Sequence, residues 1–476
     1  MHGNAITMGS DDDKPRRASM DRLTTRPAAR NWAMTRLGMG TGARFAAHSV
    51  SNLFRDKAGR EDASRAFYRA EAETMADALG NLKGSVMKAG QMLSLYAQYF
   101  LPPEAVDVLA GLQDDTAPVS WSVIEPVLEH GLGRARMAEL DIDREPLAAA
   151  SLGQAHRARI KADGTELVLK IQYPGVGDAI ESDVRTLKRV ISMTRLAPKG
   201  LDLEPVFNEV REMLHREVDY ASEARYTKEY RRRLTGDDRY AVPEVFDDYS
   251  TDMILALSYE PGLPVKHKDV AALDQAERNG LGYAFMELFL REFFSWGMVQ
   301  TDPHFGNYRI RLRDGESPQI VLLDFGATRI FGRGFIDGYR KILSGGIFGP
   351  RSDIFEGAEA IGLMESKHPQ QVLDAFAELI ELVMEPFRNA DDPLARSELL
   401  NAEGGYRFAD SDLLPRAAQK AARNSLSRWF RVPPREIVFL HRRLAGTFMA
   451  CGALGAELKG RRMLMDALGF EDPESD

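Results

Sequence analysis

The hydrophobic and polar positions in the first third of the chain predict helices followed by a β-hairpin. Between about residues 63 and 100, apolar side chains recur close to every 3.6 residues, the period of an amphipathic helix. They include Met75, Leu79, Leu82, Val86, Leu93 and Leu95. Pro102-Pro103 ends this helix and begins another. Short alternating segments between Met137 and Ile171 flank the turn Ala162-Asp163-Gly164-Thr165, as in a hairpin.

The rest of the chain returns mainly to a helical period. The predicted elements are an amphipathic helix over about 204–234, a strand-like segment over 242–258, a helix over 283–294, short strands at 308–312 and 320–323, and interrupted helices over 335–468. This order predicts four parts. They are a disordered tail (1–55), a helical extension (56–135), a small β-rich lobe with one long helix (136–262) and a large helical lobe (263–468).

Composition narrows the class of partner and the compartment. The 476 residues include 62 Lys and Arg against 71 Asp and Glu, a net charge of −9. Nucleic-acid-binding proteins carry a basic surplus, so nucleic acid is excluded as a partner. Cys451 is the only cysteine, which excludes an intramolecular disulfide and a zinc site built on cysteine pairs. A reducing compartment is the natural location.

The two ends of the chain bear on membrane attachment. The uncharged stretch 444–456 is too short to span about 30 Å of hydrocarbon, and the N-terminus has no apolar secretory segment. The first ~50 residues are rich in arginine but contain the acidic block 11–13, which is unusual in a mitochondrial presequence. We therefore expect docking to a membrane surface through basic residues rather than a spanning helix.

One constellation in the second half of the chain is typical of phosphoryl transfer. Asp302 is followed five residues later by Asn307, and Asp324-Phe325-Gly326 follows the next predicted strand. The Asn307 amide and the Asp324 carboxylate are hard oxygen ligands that suit Mg²⁺. Asp302 stands where a base, or a carboxylate that orients the nucleophile, is needed. His304 either contacts phosphate or, as we favour, hydrogen-bonds the loop backbone.

A phosphate-binding lysine and a covering loop are expected upstream. Lys170 ends the apolar segment 166–171, and Glu223 on the following long helix offers it a partner. A lysine at a strand end is otherwise a surface residue whose stem covers apolar atoms. Before this strand the chain has alanines where kinases have glycines, which makes a stiffer loop. The loop residues assigned to the nucleotide are Ala148, Ala149, Ala150 and Ser151.

Together these residues resemble the UbiB/AarF family of atypical protein-kinase-like ATPases. Two further motifs carry the resemblance. Lys88-Ala89-Gly90-Gln91 matches the family's Lys-x-Gly-Gln signature, and Glu217-Val218-Asp219 with Glu223 matches its Glu-x-Asp helix. The match covers about residues 70–460 and is strongest with the branch tied to ubiquinone biosynthesis. It implies an α+β, two-lobed kinase-like fold with a helical extension folded over the active site.

The resemblance also implies a function. ATP or ADP would bind with Mg²⁺, and Asp302, Lys170 and Glu223 would form the catalytic set. Lys88 and Gln91 would reach the nucleotide side near Glu217 and Asp219. Expected partners are quinone precursors or isoprenoid lipids, proteins of quinone biosynthesis, and a membrane contacted peripherally. The expected location is the bacterial inner-membrane surface, with the mitochondrial matrix side as the alternative.

Several departures argue against a conventional protein kinase. Thr301 replaces the arginine that precedes the catalytic aspartate there, and no Ala-Pro-Glu follows Asp324-Phe325-Gly326. Tyr226 stands where the family commonly has asparagine. Two alternatives remain open, a small-molecule kinase of the aminoglycoside or choline type and a nucleotide-binding scaffold for a biosynthetic complex. A regular helix would also point Glu217 and Asp219 about 200° apart, so both can serve one site only if the helix bends or if they lie near the edge of the site.

Overall fold

The computed structural model of the protein describes residues 70, 88–90, 92–93, 118–194, 204–365, 367–425 and 434–470. These residues divide into two compact units. The first contains 118–194 together with 247–256, and the second contains 204–246 and the described residues beyond 256. The predicted tail (1–55) and Gln91 lie outside the described residues, as does most of the helical extension.

The first unit is a four-stranded sheet accompanied by two helices. Its strands have the order β1-β2-β3-β5, and β2 pairs antiparallel with both β1 and β3. The elements are α1 (Trp121–Ala138), β1 (Leu140–Ala149), β2 (Gly153–Ile160), β3 (Glu166–Gln172), α2 (Val176–Thr194) and β5 (Ile254–Ser258), whose last two residues belong to the second unit. Leu167, Leu169 and Ile171 of β3 are fully buried, because alternate side chains of a strand point to one face.

The second unit is mainly helical and contains three small sheets. Its helices are α3 (Glu204–Glu217), α4 (Tyr220–Arg233), α5 (Lys268–Ala271), α6 (Gln275–Leu290), α7 (Arg333–Ile347), α8 (Arg351–Ala360), α9 (Gln370–Val383), α10 (Leu413–Ser425), α11 (Arg435–Leu454) and α12 (Gly460–Leu468). Its strands are β4 (Tyr240–Ala241), β6 (Met298–Gln300), β7 (Tyr308–Arg313), β8 (Glu316–Leu322), β9 (Thr328–Ile330), β10 (Tyr406–Arg407) and β11 (Glu457–Leu458). A π-helical turn, Arg291–Trp296, continues α6 and ends at the left-handed Gly297.

The described residues of the second unit form one three-stranded sheet and two strand pairs. Strands β4, β8 and β7 form one sheet in that order, with β4 parallel to β8 and β7 antiparallel to it. Strands β6 and β9 form an antiparallel pair, as do β10 and β11. Helix α6 packs against α11, where the Cys451 thiol donates to the Gly282 carbonyl at 3.7 Å. The core of the unit includes Val299 of β6 and Leu458 of β11.

The structure agrees with several predicted elements and corrects others. The hairpin at Gly164 is present between β2 and β3, and both strands predicted near 308 and 320 form. The predicted helix over 204–234 is wrong in one respect, since it breaks between Glu217 and Tyr220. Asp219 caps the second part by accepting a hydrogen bond from the Ser222 backbone N–H at 2.9 Å. Of the strand-like segment 242–258, strand β5 forms only its C-terminal end.

Candidate functional site

Two strand pairings bring the predicted catalytic segments together. The β6–β9 pair places Gln300 opposite Thr328, and the β7–β8 pair places Tyr308 opposite Leu322. The loop between β6 and β7, residues 301–307, therefore lies beside the loop between β8 and β9, residues 323–327. Thr301 donates its N–H and its hydroxyl to the Ala327 carbonyl, at 3.2 and 2.7 Å, and this closes one end of the site.

Asp302 and Asn307 are in direct contact. The Asn307 amide nitrogen donates to the backbone carbonyl of Asp302 at 2.9 Å and to its carboxylate Oδ2 at 3.3 Å. The Gln300 side chain bridges the same peptide units, donating to the Asp302 carbonyl at 2.9 Å and accepting its N–H at 3.1 Å. Asp302 is thus held at its backbone on both sides while its side chain keeps 23% of its surface exposed.

The donor set of this site fits a hard divalent cation. Because the Asn307 nitrogen is committed to Asp302, its amide oxygen is left with no hydrogen-bond donor within the described part of the chain. Asp324 accepts the Gly326 backbone N–H on Oδ1 at 3.0 Å, which fixes its carboxylate. The Leu323 N–H donates to the Asn307 carbonyl at 3.0 Å, so the two candidate ligands lie on neighbouring strand ends. One amide oxygen and one carboxylate suit Mg²⁺, which keeps several waters.

The residues around Asp324 connect this loop to helix α4. The ring of Phe325 is 1% exposed and its centroid lies 4.5 Å from that of Tyr230. Glu223, on the first turn of α4, is 3% exposed. A side-chain carbon added at Gly326 would lie 3.4 Å from its Oε2. The glycine therefore allows the Glu223 carboxylate to approach the Asp324 loop closely.

A buried ion pair lies beneath the catalytic loop. Arg443 Nε donates to Glu292 Oε2 at 2.9 Å, and both side chains are 1% exposed. Glu292 Oε1 accepts the Tyr230 hydroxyl at 2.7 Å and the Gln300 N–H at 3.4 Å. Burial opposes the charged form of the Arg443 guanidinium, but the neighbouring Glu292 carboxylate raises the pKa of Arg443 above its ordinary value. Burial raises the pKa of the Glu292 carboxyl, against the opposing effect of the Arg443 charge. The ion pair and its hydrogen bonds join α4, the π-helical turn, β6 and α11.

Helix α11 also contacts the catalytic loop directly. Arg442 Nη2 donates to Asp302 Oδ1 at 2.5 Å. One turn along the helix, Gly446 faces Pro303, where an added side-chain carbon would lie only 2.1 Å from the proline ring. None of these α11 residues was predicted. They lie 140 residues beyond the loop, and nothing in the local pattern distinguishes Arg442 or Arg443 from surface arginines.

The segment after the second aspartate is short. Two residues separate the end of β9 from the first residue of α7. Arg329 on β9 forms an ion pair with Glu209 of α3 at 2.7 Å, and its guanidinium lies over the Phe439 ring of α11 at 3.4 Å from the centroid. This fixed connection contains no long activation segment, in keeping with the missing Ala-Pro-Glu.

The remaining predicted residues of the first unit lie in its sheet. Lys170 is on β3, opposite Ala155 of β2, and points to the half-exposed face rather than the buried one. The alanine-rich segment is a hairpin connection, with Ala148 and Ala149 ending β1 and the Ala150 N–H donating to the Gly153 carbonyl at 2.8 Å. Ser151 in this turn is 2% exposed. The segment is therefore a turn between two strands and not a helical turn.

The family-specific motifs are described only in part. Lys88 lies on a helical segment and is half-buried, whereas its motif partner Gln91 is outside the described residues. The helix break gives Glu217 the last position of α3 and makes Asp219 the exposed cap of α4. His304 accepts the Gly306 N–H on Nδ1 at 3.0 Å, so the favoured backbone role for this histidine is confirmed.

With this geometry in view, comparisons with known proteins identify the family. Residues 111–356 match the model of the ABC1 atypical kinase-like domain. The chain belongs to the ABC1 atypical kinase-like family. It is similar to "Atypical kinase COQ8B, mitochondrial" of Rattus norvegicus, with 31% identity over 90% of the chain and 78% of the relative. This membership assigns it to the enzymes of kinase-like phosphoryl transfer or ATP hydrolysis.

Other relatives agree on the family. "Atypical kinase COQ8, mitochondrial" of Schizosaccharomyces pombe is 30% identical over 86% of this ABC1-family chain, which spans 64% of that relative's length. "Protein ACTIVITY OF BC1 COMPLEX KINASE 8, chloroplastic" of Arabidopsis thaliana is 33% identical over 52% of the chain and 33% of the relative. Among solved structures, Rv3197 of Mycobacterium tuberculosis, in complex with erythromycin, matches with a TM-score of 0.55 at 22% identity. The match covers 87% of the chain and all of that structure. The kinase-like α+β fold is therefore confirmed.

Helix α11 is also the one described helix with the length and hydropathy of a membrane span, at a mean hydropathy of 1.2. Two-thirds of the corresponding window is buried inside the second unit. Its contacts with the catalytic loop and with α6 are those of a core helix. Cys451, near its end, is buried, and burial raises the pKa of its thiol to about 12.

Proposed function

We propose that this chain binds Mg-ATP and ADP and hydrolyses ATP, or transfers its terminal phosphoryl group, in support of isoprenoid-quinone biosynthesis at a membrane surface. The observation that carries the proposal is the contact of Asp302 with Asn307 beside the Asp324 loop. The names of the mitochondrial COQ8 relatives support the quinone pathway. They also favour the mitochondrial matrix side over the bacterial inner membrane as the location.

The residues of the second unit suit a phosphoryl-transfer step. In hydrolysis, a water oxygen attacks the γ-phosphorus, the bond to the β,γ-bridging oxygen breaks and ADP leaves. Asp302 would orient the water and take its proton. Asn307 and Asp324 would hold Mg²⁺, which neutralises charge on the phosphates. The short connection between β9 and α7 supports an acceptor other than a docked peptide.

The other predicted residues take roles carried over from the resemblance. Lys170 would bind the α- and β-phosphates and pair with Glu223. The alanine-rich turn, Ala148 to Ser151, would cover the phosphates. Lys88, Gln91, Glu217 and Asp219 would regulate access to the nucleotide. Quinone precursors, isoprenoid lipids and proteins of quinone biosynthesis are the proposed partners, and contact with the membrane would be peripheral.

Two aspartate variants test the proposal. Asp302→Asn should lower kcat for Mg²⁺-dependent ATP hydrolysis by about 10²- to 10⁴-fold, the usual contribution of a positioned base, and leave nucleotide binding within about twofold. Asp324→Asn should weaken Mg²⁺-dependent nucleotide binding itself. Wild-type turnover in both variants would show that the catalytic assignment is wrong.

The pathway needs a separate measurement. A strain lacking the gene should contain less ubiquinone, and the wild-type gene should restore it where Asp302→Asn does not. Stimulation of ATP hydrolysis by liposomes or by phenolic quinone precursors would support the proposal that the protein acts at a membrane surface. Normal ubiquinone in the deletion strain would contradict the pathway while leaving ATP hydrolysis untouched.

A further inference from the structure

Arg442 of α11 forms an ion pair with Asp302, the residue proposed to orient the attacking water. Its Nη2 donates to Asp302 Oδ1, and the Arg442 side chain remains 33% exposed. A guanidinium carries five N–H donors in a planar fork. Within the described residues, Asp302 is its one hydrogen-bond partner. Several donors are therefore left for a ligand bound beside the carboxylate.

The position of this arginine is fixed on both sides. The next residue, Arg443, forms the fully buried ion pair with Glu292. One turn later Gly446 packs on Pro303, the neighbour of Asp302. The packing of Arg443 and Gly446 therefore fixes the helix backbone at Arg442, independently of the ion pair that Arg442 itself forms. This is the support that a site residue on a rigid element needs.

The catalytic loop itself supplies no positive charge. Residues 301–308 read Thr-Asp-Pro-His-Phe-Gly-Asn-Tyr and contain neither lysine nor arginine. Arg309, the next residue, donates to the carbonyls of Gly306 and Tyr308. Charge on a transferring phosphoryl group is spread over its oxygens and is stabilised by cations placed there in advance. Lys170 is proposed for the α- and β-phosphates, so a cation for the oxygens of the γ-phosphoryl group, besides the metal, would have to come from another element outside the loop.

We propose that Arg442 supplies this charge, binding Asp302 with one N–H group and the oxygens of the transferred phosphoryl group with others. Arginine suits the role because its fork can contact a carboxylate and a phosphate together. The inference rests on the proposed function and deepens it. It makes Arg442 a catalytic residue from a helix that no sequence motif marks, and it implies that the site distinguishes ATP from ADP through this side chain.

Binding of ATP and ADP by equilibrium titration with Mg²⁺ tests the proposal independently of turnover. Arg442→Ala should weaken ATP binding about tenfold, the effect of losing a charge-assisted hydrogen bond, and leave ADP binding within about twofold. Its kcat should fall by about 10²- to 10³-fold. Arg442→Lys should recover part of the ATP preference, and added guanidinium should partly rescue Arg442→Ala.

The matched control is Arg462→Ala on α12, an exposed arginine far along the chain from the loop, which should bind both nucleotides as wild type does. If Arg442→Ala keeps the wild-type ratio of ATP to ADP affinity, the proposal is overturned, even where kcat falls, because the arginine then acts only through Asp302. If wild type itself neither binds nor hydrolyses Mg-ATP, the proposed function fails instead. Circular dichroism of Arg442→Lys shows whether the fold is intact.

Discussion

Each unit of the molecule contains a buried polar cluster, and the two clusters are chemically opposite. In the first unit Gln154 joins the Val119 backbone to the ring of His156, and all the groups are neutral. In the second unit Arg443 and Glu292 are charged and equally buried. The neutral cluster fastens one segment to a hairpin, whereas the charged cluster joins four elements behind a catalytic loop.

The difference shows what each cluster is able to specify. A neutral hydrogen bond is worth about 1 kcal/mol net and tolerates small shifts. A buried ion pair gains little over apolar packing, yet losing one partner leaves an uncompensated charge. The charged cluster therefore penalises misalignment of the Asp302 loop much more steeply. The charged cluster contacts Gln300 and includes the chain neighbour of Arg442, and the side chains of Gln300 and Arg442 both hydrogen-bond Asp302.

The largest effect should follow from breaking the charged cluster. Arg443→Met leaves Glu292 buried without its counter-charge, so the free energy of unfolding should fall by about 3–5 kcal/mol in urea denaturation. Adding Glu292→Gln to this variant should restore more than half of the loss, because the uncompensated charge is then removed. Arg462→Ala on α12, an exposed arginine, is the control and should cost less than about 1 kcal/mol. If Arg443→Met and the control variant lost the same free energy of unfolding, the buried ion pair would have no special effect on stability.

Breaking the neutral cluster should cost less. Gln154→Leu leaves the Val119 N–H and the Tyr173 hydroxyl without their shared acceptor, for a loss of about 2 kcal/mol. The control on the same strand is Arg159→Ala, an exposed residue that should change stability by less than about 0.5 kcal/mol. A loss for Gln154→Leu as large as that of Arg443→Met would show that burial, not charge, sets the energetics.

The smallest effect should be a pH dependence of the neutral cluster. Burial lowers the pKa of His156 from its ordinary value of 6.5, and the Gln154 amide donates to its Nε2, so the folded state favours the neutral ring. Stability is then present above pH 6.5 and is lost as the pH falls through the lower pKa of the folded state. Unfolding free energies at pH 7.5 and 5.5 should differ more for wild type than for His156→Asn. An identical difference would rule out the histidine as the cause.

The part of the candidate site that is local in the sequence is also local in the structure. Asp302 and Asn307 lie five residues apart in a single loop, and that short spacing is the same in the chain and in the structure. The hairpin at Gly164 was equally visible, because a turn of this kind is a local event. The order of such local signals predicted a β-rich part followed by a helical part, and the resemblance to the UbiB/AarF family implied the kinase-like fold.

What the sequence did not predict is non-local. Arg442 reaches Asp302 across 140 residues, and Arg443 reaches Glu292 across 151. Charged residues on a helix usually mark its solvated side, so their burial has no one-dimensional signature. The break before α4 did have a signature in the sequence. An aspartate whose side chain accepts the backbone N–H three residues later, as Asp219 does, is a common helix start. Asp219 was assigned to the nucleotide site instead.

The π-helical turn Arg291–Trp296 has a consequence for how related chains differ in length. A π turn holds one residue more than the α turn it interrupts, so it behaves as a tolerated single-residue insertion. Removing one residue there would restore a regular helix and rotate everything after it by about 100° relative to α6. The ion pair of Glu292 with Arg443 would then be broken, and β6 would be rotated so that it no longer places the catalytic loop beside the Asp324 loop. Deletions in this turn should accordingly be far rarer than substitutions.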